Sequence, residues 1–95
     1  MRPPLLTEEE IAARLVDFPD WFLERGQLTR MLQAKDFTTV MQWVDDIAAA
    51  ADAMDHHPDI DIRWTKLRVS VMTHDKGGLT SLDFELAEKV DAICQ

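Results

Sequence analysis

Ile60-Asp61-Ile62-Arg63-Trp64-Thr65-Lys66-Leu67-Arg68-Val69-Ser70-Val71 alternates apolar and polar residues on both sides of a short polar break. Ile60, Ile62 and Trp64 share one phase of the alternation, and Leu67, Val69 and Val71 share another. A period of two belongs to a half-buried strand. The stretch from Ile60 to Thr73 therefore predicts two strands joined by a tight turn near Thr65-Lys66. So short a connection makes the pair antiparallel.

Upstream the period changes. Phe37, Val40, Val44, Ile47, Ala48, Ala51 and Met54 recur at spacings of three and four, which predicts a helix from Asp36 to about Asp55 with one buried stripe. Pro58 is expected to end it. Before that helix, Asp20 to Gln33 predicts a hairpin. Trp21, Phe22 and Leu23 form one arm, Leu28 to Leu32 the other, and Arg25-Gly26-Gln27 the turn. Thr7-Glu8-Glu9-Glu10 predicts a helix start with Thr7 as N-cap and Glu10 closing a capping box. Ile11, Leu15 and Val16 would form its apolar face, and Pro19 limits it. Downstream, Gly77-Gly78 breaks the chain and Thr80 caps a last helix reaching about Ile93.

The order is helix, two strands, helix, two strands, helix. The simplest architecture is an α+β fold: one four-stranded antiparallel sheet with three helices packed on one face. A chain of 95 residues fits a single domain over 1–95. Its core is limited, so pairing with a second copy is a natural remedy.

The net charge of −8 sets the sequence against nucleic acid and anionic membrane surfaces as direct partners. No apolar run approaches the roughly 20 residues of a membrane span. The opening Met1-Arg2-Pro3-Pro4-Leu5-Leu6-Thr7 turns acidic at once and does not read as a signal peptide. The single cysteine, Cys94, cannot form an internal disulfide. A cytoplasmic location is the expectation.

The chemistry gathers around the three histidines. His56 and His57 stand in Asp55-His56-His57-Pro58-Asp59 at the end of the long helix, and His74 stands in Thr73-His74-Asp75 where the last strand runs out. Imidazoles change charge near neutral pH, so such a cluster suits proton transfer. The plainer alternative is that a histidine cation suits a helix C-terminus. Asp52 stands four residues before His56 and is placed to orient that ring. Asp83 stands three residues after Thr80, as the second member of a capping box. A zinc site built from the histidines with Asp52, Asp55 or Asp83 is disfavoured, because adjacent histidines seldom converge on one ion and H-E-x-x-H is absent. Trp64 could be core or a platform for a flat heterocycle.

Asp52-x-x-x-His56-His57-Pro58, the aromatic Trp64, Thr73-His74-Asp75, Gly78-Leu79-Thr80 and Asp83 together resemble the pterin-4a-carbinolamine dehydratases. Trp21, Gly26-Gln27-Leu28 and Asp36-Phe37 extend the resemblance over roughly residues 20 to 93. It implies dehydration of 4a-hydroxytetrahydropterin to a quinonoid dihydropterin, in support of pterin cofactor recycling beside an aromatic amino-acid hydroxylase. It implies His56, His57 and His74 as the acid–base group. Asp52, Asp55, Trp64, Thr73, Asp75 and Asp83 would bind substrate or support that group. No metal and no cofactor are required, and a homodimer or homotetramer is implied. Leu82 departs from relatives that carry an arginine near the site mouth, which touches substrate affinity more than the reaction. The alternative within the same fold is a non-catalytic protein-binding module, a transcriptional or assembly cofactor.

Overall fold

The computed structural model describes residues 2–95; Met1, first residue of the opening stretch, lies outside them. The elements follow in the order α1 (Glu8–Leu15), β1 (Phe22–Glu24), β2 (Gln27–Gln33), α2 (Phe37–Met54), β3 (Asp59–Arg63), β4 (Lys66–Val71), a 3-10 turn (His74–Lys76) and α3 (Ser81–Ile93). The four strands form one sheet in the order β1-β2-β4-β3, every neighbour antiparallel. The expected α+β architecture is the one found.

Alternation explains which sheet face is covered. Leu28 and Leu32 of β2 and Leu67, Val69 and Val71 of β4 are buried against Val40, Ile47 and Ala51 of α2 and Phe84, Leu86, Ala87 and Val90 of α3. Ile11 and Leu15 of α1 pack at the margin of this core. The opposite face is polar and held by cross-strand contacts: Gln27 with Asp59, Thr29 with Ser70, Gln33 with Thr65, and Arg68 with Glu24.

Each helix begins at the residue that cap chemistry selects. Thr7 and Glu10 form a capping box, as do Thr80 and Asp83, and the Asp36 carboxylate accepts from the Thr39 N–H.

The two hairpin turns and three further details differ from the sequence expectation. Arg63 pairs with Lys66, so the β3–β4 turn is Trp64-Thr65, one residue earlier than expected. A two-residue hairpin needs left-handed backbone, and Trp64 supplies it at φ 54°. Trp64 thereby leaves the alternation and stands 77% exposed at the tip. In the first hairpin Glu24 pairs with Gln27, and the turn is Arg25-Gly26, at φ 53° and 77°. Next, α1 stops at Leu15 and Val16 is exposed, so Val16 is not part of the apolar face. Phe37 and Ala48 are also exposed, so the apolar stripe of α2 is wider than the surface one chain covers. Last, α2 is ended by Asp55 rather than by Pro58. Asp55 adopts a left-handed conformation (φ 51°, ψ 43°), and the His56 N–H returns to the Ala51 carbonyl at 3.1 Å. Such a wrapped ending satisfies the last helical carbonyls and reverses the chain.

Candidate active site

The reversal at Asp55 sends its two successors in different directions. His56 turns inward and is 5% exposed, while His57 remains at the surface. His56 Nε2 lies 2.7 Å from Asp83 Oδ1, and His57 Nε2 lies 2.8 Å from Asp52 Oδ1. Asp52 was expected to orient His56. It orients His57 instead, because the helix has already ended and the chain folds back over its last turn.

Asp83 is fully buried, yet each oxygen is partnered. Oδ1 faces His56, while Oδ2 accepts from the Thr73 hydroxyl and from the Thr80 N–H, both at 2.9 Å. The Thr73 hydroxyl has one hydrogen and gives it to Asp83. The 2.8 Å contact between the two threonine hydroxyls is therefore donated by Thr80. The Thr80 oxygen in turn accepts from the Leu82 N–H. Among the described residues no buried side-chain polar atom lacks a partner. An acceptor-only carboxylate at Oδ1 puts the hydrogen on His56 Nε2, which leaves Nδ1 as the basic nitrogen of the ring.

His74 begins the 3-10 turn, and Thr73 before it is bridged to Gly78, its N–H donating to the Gly78 carbonyl at 2.9 Å. This brings the second segment against the first. His56, His57 and His74 line one cleft of about 220 Å³ together with Asp55, Asp75, Met72 and Arg2. A second depression of about 330 Å³, lined by Arg2, Met54, Asp55 and Leu82, adjoins it through the shared Arg2 and Asp55. Thr73 and Asp83 lie beneath this surface and Asp52 beside it.

Trp64 is not brought to the cleft within the chain. It follows Arg63 at the far end of β3, whereas Asp59 at the near end follows the His56-His57-Pro58 segment. Five residues of strand separate the two ends by roughly 16 Å. Arg2 and Met72 line the cleft without having been singled out in the sequence. Met72 was within reach as the residue before Thr73, but nothing local marks Arg2, whose hydrogen-bond partner stands 53 positions away.

The three histidines are confined to this place, whereas carboxylates also line hollows at Asp17, Glu85 and Glu88 and at Asp59 and Asp61. The larger hollow of about 510 Å³ at Gln33, Lys35, Thr39, Trp43 and Cys94 holds no histidine or carboxylate side chain. Burial pushes the Cys94 thiol up to about 11, so it stays protonated and unreactive at neutral pH. Among the described residues no group of three or more His, Cys, Asp or Glu side chains is arranged to hold a metal ion. Among the described residues no helix is long and apolar enough to cross a membrane.

The fold and cleft define a class: a small α+β protein in which three histidines from two segments face one pocket and a buried carboxylate orients one of them. The comparisons give that class a family. A sequence profile described as pterin 4 alpha carbinolamine dehydratase matches residues 4–93. A protein of Chloroflexus aurantiacus named "Putative pterin-4-alpha-carbinolamine dehydratase" is 44% identical over 90 residues, 95% of this chain and 97% of its own. One of the same name from Nocardia farcinica is 41% identical over the full length of both. The crystal structure of a transcriptional coactivator/pterin dehydratase from Brucella melitensis superposes with a TM-score of 0.91 at 32% identity, over 96% of this chain and 99% of that one. A pterin dehydratase-like RuBisCO assembly factor of the alpha-carboxysome shares the fold at a TM-score of 0.64 and 17% identity, over 78% and 86% of the chains. The chain belongs to the pterin-4-alpha-carbinolamine dehydratase family.

Proposed function

We propose that the protein dehydrates 4a-hydroxytetrahydropterin to quinonoid dihydropterin and water. The observation that carries this reading is the meeting of His56, His57 and His74 at one cleft, with His56 held by the buried Asp83. The reaction breaks the C4a–O bond, forms a C4a=N5 double bond, delivers one proton to the departing hydroxyl and removes one from N5. Proton count is conserved, so imidazoles that give and take a proton suffice. The Asp83 carboxylate, 2.7 Å from His56 Nε2, fixes the orientation of that ring. His57, paired with the exposed Asp52, and His74 supply the other imidazoles within the same cleft.

The test is the decay of 4a-hydroxytetrahydropterin followed by ultraviolet absorbance, with and without chelator. The purified protein is expected to accelerate decay equally in both. No acceleration, or activity abolished by chelator and restored by zinc, would sink the reading. Within the cell the reading places the protein in the cytoplasm, returning a pterin cofactor to an aromatic amino-acid hydroxylase.

A second reading, a protein-binding module, draws on the exposed Phe37, Met31 and Trp64 and on the coactivator half of the Brucella protein's name. It expects full binding of a partner after the three histidines are removed, and no turnover before.

A further inference from the structure

Arg2 Nη2 donates to the Asp55 carbonyl at 3.0 Å, and Arg2 Nε stands 3.9 Å from Asp75 Oδ1. Asp55 directly precedes His56-His57, and Asp75 directly follows His74. One guanidinium therefore spans the two segments that carry the histidines. It also forms the wall shared by the histidine cleft and the depression beside Leu82. Among the described residues it is the only Lys or Arg side chain lining either hollow.

The donor count leaves work for it. A guanidinium presents five N–H donors in one plane. The Asp55 carbonyl takes one, and 3.9 Å is within reach of charge attraction but too long for a hydrogen bond. With its side chain 33% exposed, the group keeps donors at the cleft wall. A pterin ring carries both donors and acceptors along its polar edge. Asp55 and Asp75 can take its N–H and amino hydrogens. Its carbonyl oxygen needs a donor that is not committed to proton transfer, and Leu82 on the other wall has none.

We propose that Arg2 is a substrate-binding residue, its guanidinium held at the cleft mouth by Asp55 and Asp75 and donating to the carbonyl oxygen of the pterin ring. The inference rests on the dehydratase reading and names one of its substrate contacts. Asp75 contributes by holding the guanidinium near the ring plane, where its planar fork meets an oxygen more specifically than a lysine ammonium would.

The experiment compares wild type, Arg2→Ala and Arg2→Lys. The readouts are kcat and KM for 4a-hydroxytetrahydropterin, calorimetric Kd for a 7,8-dihydropterin, which has no 4a-hydroxyl to lose, and the melting temperature. Arg2→Ala is expected to raise KM and Kd together by about tenfold or more, as loss of a charge-assisted hydrogen bond does, with kcat and melting temperature near wild type. Arg2→Lys should recover part of the loss. An Arg2→Ala protein with KM and Kd within about twofold of wild type overturns the inference and leaves the dehydratase reading standing. A fall in kcat and melting temperature with unaltered KM and Kd also overturns it, since Arg2 would then be only a strap. A wild-type chain that neither turns over the carbinolamine nor binds the dihydropterin overturns both readings at once.

Discussion

His56 Nε2 and Asp83 Oδ1 lie 2.7 Å apart, with the histidine side chain 5% and the aspartate 0% exposed. The same aspartate closes the capping box of α3 and accepts from Thr73. One buried carboxylate thus fixes the start of a helix, the end of the last strand and the orientation of a ring that lines the cleft. Burial makes the arrangement demanding, because every lone pair left without a partner costs free energy.

Asp83→Ala is expected to damage stability and turnover together. It strands the Thr73 hydroxyl, the Thr80 N–H and the His56 ring, and removing one partner of a buried pair typically costs about 3–5 kcal/mol. Asp83→Asn keeps the shape but cannot present two acceptor oxygens. It should retain most of the fold and lose turnover through a misdirected His56. Urea melts and rates on both variants check this. An Asp83→Asn protein with wild-type kcat would remove Asp83 from the chemistry and leave it a helix cap.

The three histidines should separate by their surroundings. His56→Ala, His57→Ala and His74→Ala are each expected to lower kcat, and acid–base contributions run to about 10²- to 10⁴-fold. The uncatalysed loss of water from so unstable a substrate compresses the measurable range. Only His56→Ala should also cost stability, about 1–3 kcal/mol, because it leaves a buried acceptor unmatched. His57 and His74 are exposed, so their removal should move the melting temperature little. Wild-type rates in all three variants with lowered melts would hand the site to the protein-binding reading.

Much of this fold was legible because the period of the chain changes where the structure changes. Two-residue alternation in Ile60–Val71 and three-four spacing in Val40–Ala51 both reflect a single covered face. The caps Thr7, Asp36 and Thr80 were legible because capping is a local contact. What escaped was decided by geometry at the ends of elements. The left-handed turn at Asp55 exchanged the histidine that Asp52 meets. A one-residue shift of the hairpin turn moved Trp64 from an alternating position to an exposed tip. Arg2 escaped because its partners Asp55 and Asp75 are distant in sequence and come together only in the folded chain.

Self-association is the expected fate of the surface one chain leaves bare. β1 and β3 are the two edges of the sheet, and Trp64, Met31 and Phe37 are 77%, 51% and 48% exposed. Unpaired strand edges and large exposed apolar side chains both favour burial against a second copy. Light scattering is expected to report at least twice the 10.9 kDa chain mass. Charged replacements at Phe37 and Trp64, far apart along the chain, would show which face is used. A monomer at micromolar concentration contradicts the expectation.

Acid should find the cap of α2 before it finds the core. The Thr39 hydroxyl and the Thr39 N–H donate to the Asp36 carboxylate at 2.6 and 2.8 Å, in that order of effect, and hold it below the usual carboxylate range. The Thr7 N–H donates to the Glu10 carboxylate at 2.9 Å and, with the nearby Thr7 hydroxyl, holds that group low as well. A carboxyl group depressed in the folded state stabilises fully above its unfolded value, near pH 4, and loses that contribution as pH falls through the folded value. Asp36→Ala should therefore melt below wild type at pH 7, and the gap should narrow as both are titrated below about pH 4, where wild type loses the charged cap that the variant never had. Asp36→Asn keeps a hydrogen-bond acceptor without the charge, so its melting temperature should lie between the two at neutral pH. Thermal melts of the three proteins from pH 7 to pH 2.5 check the sign. A gap between wild type and Asp36→Ala that is constant across that range would mean that the carboxylate's charge contributes nothing, and that Asp36 begins the helix by shape alone.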